Sequence, residues 1–216
     1  PRCRHSQISW IPDDSGFFYT RNPWVGTVPK NEEHLHTKVY FHKIGDDSKN
    51  DDLIFGEGRP KDEMLGLSIS IDGRYLAISS ALKWTENDIY VYDRDTRRTI
   101  PLTVGIPAKF SAQFLEDKII IKTNYNANNF RVISVSLSKM FSPIREWEEL
   151  IPEREYLLQS VTTTKSKIIV TYLENAYSKV VMFDHNGKVV EEIAFPPYSS
   201  TAGISGNLEE DEFFYG

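Results

Sequence analysis

Apolar and polar residues alternate in short runs along the whole chain, and tight polar turns break the runs into pairs. The stretch "SISIDGRYLAIS" (68–79) shows the pattern. Residues two apart share a face of an extended strand, so such alternation predicts a half-buried strand on each side of the turn. An Asp-Gly pair between two such runs predicts a β-hairpin. The same arrangement returns at 8–20, 111–122, 160–171 and 203–215. With the turns aligned at Gly16, Gly73, Asp117, Ser166 and Asp211, the spacings are 57, 44, 49 and 45 residues. A period of about 40–50 residues holding four strands is the pattern of β-propeller blades.

Two further strands are predicted in each interval. The third strands are "KVYFHKI" (38–44), "DIYVYDR" (88–94), "FRVISVSL" (130–137) and "SKVVMFDH" (178–185). The fourth are "DDLIFGE" (51–57), "RTIPLTV" (98–104), "EWEELIP" (146–152) and "VVEEIAF" (189–195). Asp93 and Asp184 are placed to accept backbone N–H groups in the intervening turns, and Asn186-Gly187 suits a type I′ turn. First strands such as "LSISI", "FSAQF" and "TAGIS" alternate apolar residues with small or polar ones, as crowding round a propeller axis requires, and Ser68 and Ser70 are read in that way. Helical signals are scarce: 138–150 holds one turn before Pro143, and 22–36 reads as a long loop. The fold expected is all-β, a partial β-propeller in a single domain, 1–216. Its blades fall at 8–57, 66–104, 109–152 and 156–195, with a half blade at 199–216. Open strand edges are an aggregation hazard, so the chain reads as part of a larger ring. In isolation it is expected to self-associate edge to edge.

Composition narrows the partners. The 216 residues carry a formal net charge of -6, with a pI near 5.4. The longest basic run is Arg97-Arg98. A nucleic-acid surface needs a basic stripe, so no such partner is expected. No apolar run approaches membrane-spanning length, so no membrane partner is expected either. Cys3 is the only cysteine, no Asn-x-Ser/Thr acceptor occurs, and the first 20 residues show no secretory pattern. These features point to a reducing, cytoplasmic setting.

Candidate chemistry is sparse. No Gly-x-Ser-x-Gly nucleophile elbow occurs; "AGISG" (202–206) lacks the spacing, and no catalytic residue is assigned. "HLH" (34–36), with His42 beyond, offers too few fixed ligands for zinc and reads as a loop entering a strand. "DDSKNDD" (46–52) departs from calcium-loop spacing and reads as a solvated turn. No metal or cofactor is expected. His185 reads as exposed in its turn, and Trp10, Trp24 and Trp147 as packing between blades.

The stretches "ISWIPDDSGFFYTR", "LHTKVYFHKIGDDSKNDDLIF", "MLGLSISIDGRYLAISS" and "KTNYNANNFRVISVSL…WEELIPE" resemble, in order, the propeller of the prolyl oligopeptidase family of serine peptidases. Residues 35–55 carry the most specific part of the likeness. The resemblance implies a seven-bladed propeller covering an α/β-hydrolase domain that holds the catalytic Ser, Asp and His, all outside this stretch. It implies cleavage of short proline-containing peptides by the parent enzyme, with this stretch inactive alone. The propeller would gate access to the hydrolase domain and line part of the substrate cavity. By alignment, Met64 matches a family methionine at that cavity. Trp84 stands where some members have cysteine, so thiol-reagent sensitivity is not expected there. His5 stands where the family has an aromatic. The alternative reading is a propeller scaffold that binds proteins without catalysis.

Overall fold

The computed structural model describes residues 3, 6–196 and 199–216. Among them the chain forms four four-stranded antiparallel meanders and a closing hairpin. The first sheet holds β1 (Ile8–Trp10), β2 (Gly16–Arg21), β3 (Lys38–Lys43) and β4 (Asp52–Phe55). The second holds β5 (Met64–Ile69), β6 (Tyr75–Ala81), β7 (Asp88–Asp93) and β8 (Arg98–Pro101). The third holds β9 (Phe110–Leu115), β10 (Lys118–Thr123), β11 (Arg131–Ser136) and β12 (Glu148–Ile151), and the fourth β13 (Leu157–Thr163), β14 (Ile168–Glu174), β15 (Tyr177–Phe183) and β16 (Val189–Ile193). The hairpin is β17 (Ile204–Gly206) and β18 (Phe213–Tyr215). Two compact units divide at the β9–β10 turn, Pro1–Glu116 and Asp117–Gly216.

In the first unit, the first strands of neighbouring sheets approach one another, β1 with β5 and β5 with β9. Between the first two sheets lies a core of Ile11, Phe18, Val39, Phe55, Leu76, Ile78 and Tyr92, all buried. Alternation along β2, β3 and β6 delivers these side chains to the shared face, and their burial supplies the main force joining the blades. The β5–β6 turn locks into the same interface. Gly73 has φ +71° and donates its N–H to Ser70 O at 2.9 Å. A Cβ on Gly73 would lie 2.5 Å from Pro12 Cδ of the first sheet. Only glycine accepts both the left-handed backbone and that approach.

In the second unit, β14 and β15 join through a two-residue turn, Asn175-Ala176, with φ of 48° and 70°. Positive φ at both positions is the primed hairpin geometry that matches strand twist. The β15–β16 turn is tied by Asp184, whose Oδ1 accepts from Asn186 N and Lys188 N, both at 2.9 Å. Asp211, in the turn before β18, reaches the β13–β14 turn, accepting from Ser166 N at 2.7 Å and Ser166 Oγ at 2.9 Å. Side-chain acceptors at turns thus satisfy backbone donors that the ladders leave over.

Several expectations are corrected. Asn186-Gly187 is not a type I′ turn: Gly187 alone takes positive φ, and the ladder shifts register between Met182 and Phe183. This is a wider turn closed by a left-handed glycine and a bulge. Ser70 lies beyond β5, and its hydroxyl donates to Asp72 and accepts from Tyr75 N, so its size serves the turn rather than a crowded axis. Trp10, Trp24 and Trp147 are not buried between blades. Trp10 is 50% exposed and packs on Phe17 of its own sheet; Trp147 donates Nε1–H to Ser142 O, and Trp24 lies beside Arg21. His185 is half-buried, with Nε2 3.3 Å from Thr164 O. The segment 138–150 carries two 3₁₀ turns, at Leu137–Lys139 and, after Pro143, at Ile144–Glu146. The loop 22–36 contains one at Lys30–Glu32.

Candidate functional site

Two histidine and acidic clusters resolve into local structure. His36 takes φ +57° and turns its ring to Glu32, 2.7 Å away, while His42 pairs with Asp51 at 2.7 Å. Asp51 also accepts the Tyr19 hydroxyl at 2.5 Å. Burial, reinforced by that acceptor, pushes the Tyr19 hydroxyl's pKa well up. Asp47 caps the short turn at Ser48–Asn50 by accepting from Lys49 N. Among the described residues no three potential ligands gather at one point.

The site that does assemble lies in the first unit. The end of β2, the base of the 22–37 loop, the turn before β5 and the β6–β7 turn surround a cavity of about 480 Å³. Met64 and Trp84 both line it, and Leu35 and Leu65 add apolar wall. Met64 is 41% exposed and Trp84 80%. Apolar surface left in water on this scale is stabilised when a ligand covers it. His5 lies outside the described residues.

Polar bonds fix the walls. Buried Asn22 donates Nδ2–H to Leu35 O at 3.3 Å and Thr37 Oγ1 at 3.0 Å, closing the base of the loop. His36 N donates to Lys61 O at 2.6 Å, and Lys61 Nζ reaches Glu32 at 2.7 Å. The Glu32 carboxyl is held below its ordinary pKa by Lys61 first and by His36. Beside Met64, Glu63 is buried and receives Arg59 through Nε at 2.9 and 2.7 Å, with Ser80 and Arg59 Nη2 also bonded to it. Arg59 lies 4.9 Å from the ring centroids of both Phe55 and Tyr90. A paired, stacked guanidinium holds the backbone leading into β5, and with it Met64, in one place. The same pair borders a second cavity of about 350 Å³, which Met64 and Trp84 do not line.

Arg21, the last residue of β2, also lines the larger cavity. It was not legible as a site residue, since "GFFYTR" reads only as a strand. The available signal is an arginine closing a strand that is otherwise almost wholly apolar, since arginine is rarely buried without a partner. The cavity supplies apolar contacts, a cation and amide groups, which suits binding. Among the described residues, no hydroxyl or thiol on its wall is hydrogen-bonded to an imidazole, the pairing that nucleophilic catalysis requires.

Repeated four-stranded meanders, with first strands adjoining within each unit (β1 and β5, β5 and β9, β13 and β17), are the pattern of a β-propeller domain. The chain belongs to the prolyl oligopeptidase family: residues 1–216 match the family described as "Prolyl oligopeptidase, N-terminal beta-propeller domain". Prolyl endopeptidase of Elizabethkingia meningoseptica is 30% identical over 98% of this chain and 30% of its own length. Prolyl oligopeptidase A of Galerina marginata is 28% identical over 98% of the chain and 30% of its own. A solved structure from a mechanistic study of two prolyl endopeptidases superposes with a TM-score of 0.90, at 25% identity, over 97% of this chain and 31% of that one. Prolyl oligopeptidase B of Galerina marginata shares the fold at a TM-score of 0.83 and 22% identity, over 96% of this chain and 30% of its own. The chain therefore spans about 30% of the length of the curated relatives it matches. The family is one of serine peptidases that act on proline-containing peptides through a separate hydrolase domain. Among the described residues, no helix is long and apolar enough to cross a membrane.

Proposed function

We propose that this chain is the propeller portion of a prolyl-endopeptidase-type serine peptidase, and that its 480 Å³ cavity is its share of the peptide-binding cavity. One observation carries the reading: Met64 and Trp84, twenty residues apart, line the same cavity, with Met64 partly and Trp84 largely uncovered. Covering the thioether and the indole desolvates apolar area and gives a peptide its grip. Arg59, Glu63 and Asn22 act only by holding the walls. Bond cleavage is assigned to groups outside the 216 residues, because the sequence holds no nucleophile elbow. The propeller's part is to gate: short flexible peptides reach the hydrolase domain past this cavity and folded chains do not.

The test uses the longer protein that carries this chain, assayed on short proline-containing peptides. Met64→Ala and Trp84→Ala each remove apolar contact worth ~1 kcal/mol, so KM is expected to rise roughly fivefold with kcat little changed. An unchanged KM in both variants overturns the cavity assignment. A longer protein with no peptidase activity, purifying with a stable protein partner, favours the scaffold reading instead.

A further inference from the structure

Among the described residues, the charge at the base of the same cavity has no ion-pair partner. Arg21 is only 6% exposed, and its Nε and Nη1 are buried with no hydrogen-bond partner. The guanidinium is stacked, with Cζ 3.8 Å from the Tyr40 ring centroid and 4.9 Å from that of Trp24. Cation–π contact of this kind offsets only part of the cost of burying a charge. A buried lysine or carboxyl can relieve the difference by giving up its charge, but arginine does not deprotonate in proteins. The other charged groups on the wall are already engaged: Lys61 by Glu32 and Glu63 by Arg59. Asp62 is exposed. The stack fixes the plane of the guanidinium and leaves the donors on Nε and Nη1 unsatisfied, and a carboxylate is the acceptor that such charged donors bind most strongly.

We infer that Arg21 is a carboxylate-binding residue, and that this cavity selects peptides carrying an acidic group beside the segment that packs on Met64 and Trp84. The inference rests on the proposed peptide cavity and adds a substrate class to it. The carboxylate has two sources, a peptide C-terminus or an Asp or Glu side chain. Peptide pairs tell them apart: one pair differs as C-terminal acid and amide, the other as internal Glu and Gln.

The longer protein is assayed for kcat/KM on both pairs, unaltered and as Arg21→Met and Arg21→Lys. The unaltered protein needs no refolding control, and a charge-assisted hydrogen bond predicts about tenfold or greater preference for the acidic member of one pair. Arg21→Met is expected to collapse that ratio toward one, and Arg21→Lys, which keeps charge but not the planar fork, to retain only part of it. No acidic preference in either pair overturns the inference, and so does a preference that survives Arg21→Met. If Met64→Ala and Trp84→Ala raise KM for all four peptides while the acid ratios stay at one, the cavity reading stands and the carboxylate inference alone fails.

Discussion

Single residues carry both the tightest constraints and the least legible ones. The Asp72-Gly73 turn is readable because an Asp-Gly pair between alternating runs has one common use. That Pro12 of another sheet sits against Gly73 is not readable, since no local pattern records a tertiary neighbour. Gly73→Ala places a Cβ at 2.5 Å from Pro12 Cδ on a left-handed backbone. It is expected to destabilise by about 1–3 kcal/mol, seen as a lowered denaturant midpoint with an unchanged slope. A midpoint equal to that of the unaltered protein would mean that the two sheets do not meet there. Met64 and Trp84 were reachable from the sequence only through the family likeness; nothing in their spacing brings them together. Arg21 was missed for the opposite reason. Strand periodicity places its backbone but does not reveal that its guanidinium stacks on Tyr40 and finds no ion pair among the described residues.

At the scale of elements, alternation and turn spacing specified the strands well. The five hairpins and the third and fourth strands form where the pattern places them, within a few residues at their ends. Turn conformation was harder. Asn186-Gly187 has the composition of a primed turn and adopts another, because Asp184 draws two backbone donors onto its carboxylate. The primed turn of that sheet is Asn175-Ala176, where alanine holds φ 70°. Alanine in the left-handed region is strained, and glycine is not. Ala176→Gly is therefore expected to stabilise by about 0.5–1 kcal/mol, read as a raised thermal midpoint. A lowered midpoint would show that the lost side chain matters more than the relieved backbone. The tryptophans fail in a related way. Their size argues for burial between blades, yet Trp10 packs within its own sheet and keeps half its surface in water.

The whole chain repeats one electrostatic device. Turn aspartates in both compact units have carboxyl pKa values below the ordinary range, for local reasons. Ser15 N–H holds Asp13 down; at Asp72, burial pushes up but Ser70 and Arg74 N outweigh it; the Arg74 guanidinium holds Asp93. In the second unit Lys188 N–H holds Asp184, and Ser166 holds Asp211. Each carboxyl releases its proton more readily in the folded chain than in the unfolded one. The unfolded chain then binds more protons as pH falls, so acid favours unfolding. The contribution is complete above the unfolded aspartate value of about 3.9 and is lost as pH drops through the lower folded values. The thermal midpoint is thus expected to stay level from neutral pH down to about 5 and to fall steeply below about 4. Asp93, with its side chain 8% exposed, is ion-paired with Arg74, the bonds measuring 3.1 and 3.2 Å. Asp93→Asn removes one titrating group while keeping an acceptor for Asp95 N, so it is expected to lower the midpoint at neutral pH and flatten the acid slope. A variant that lowers the midpoint equally at every pH would show that Asp93 acts through packing alone, and that the turn carboxylates do not set the acid limit of the fold.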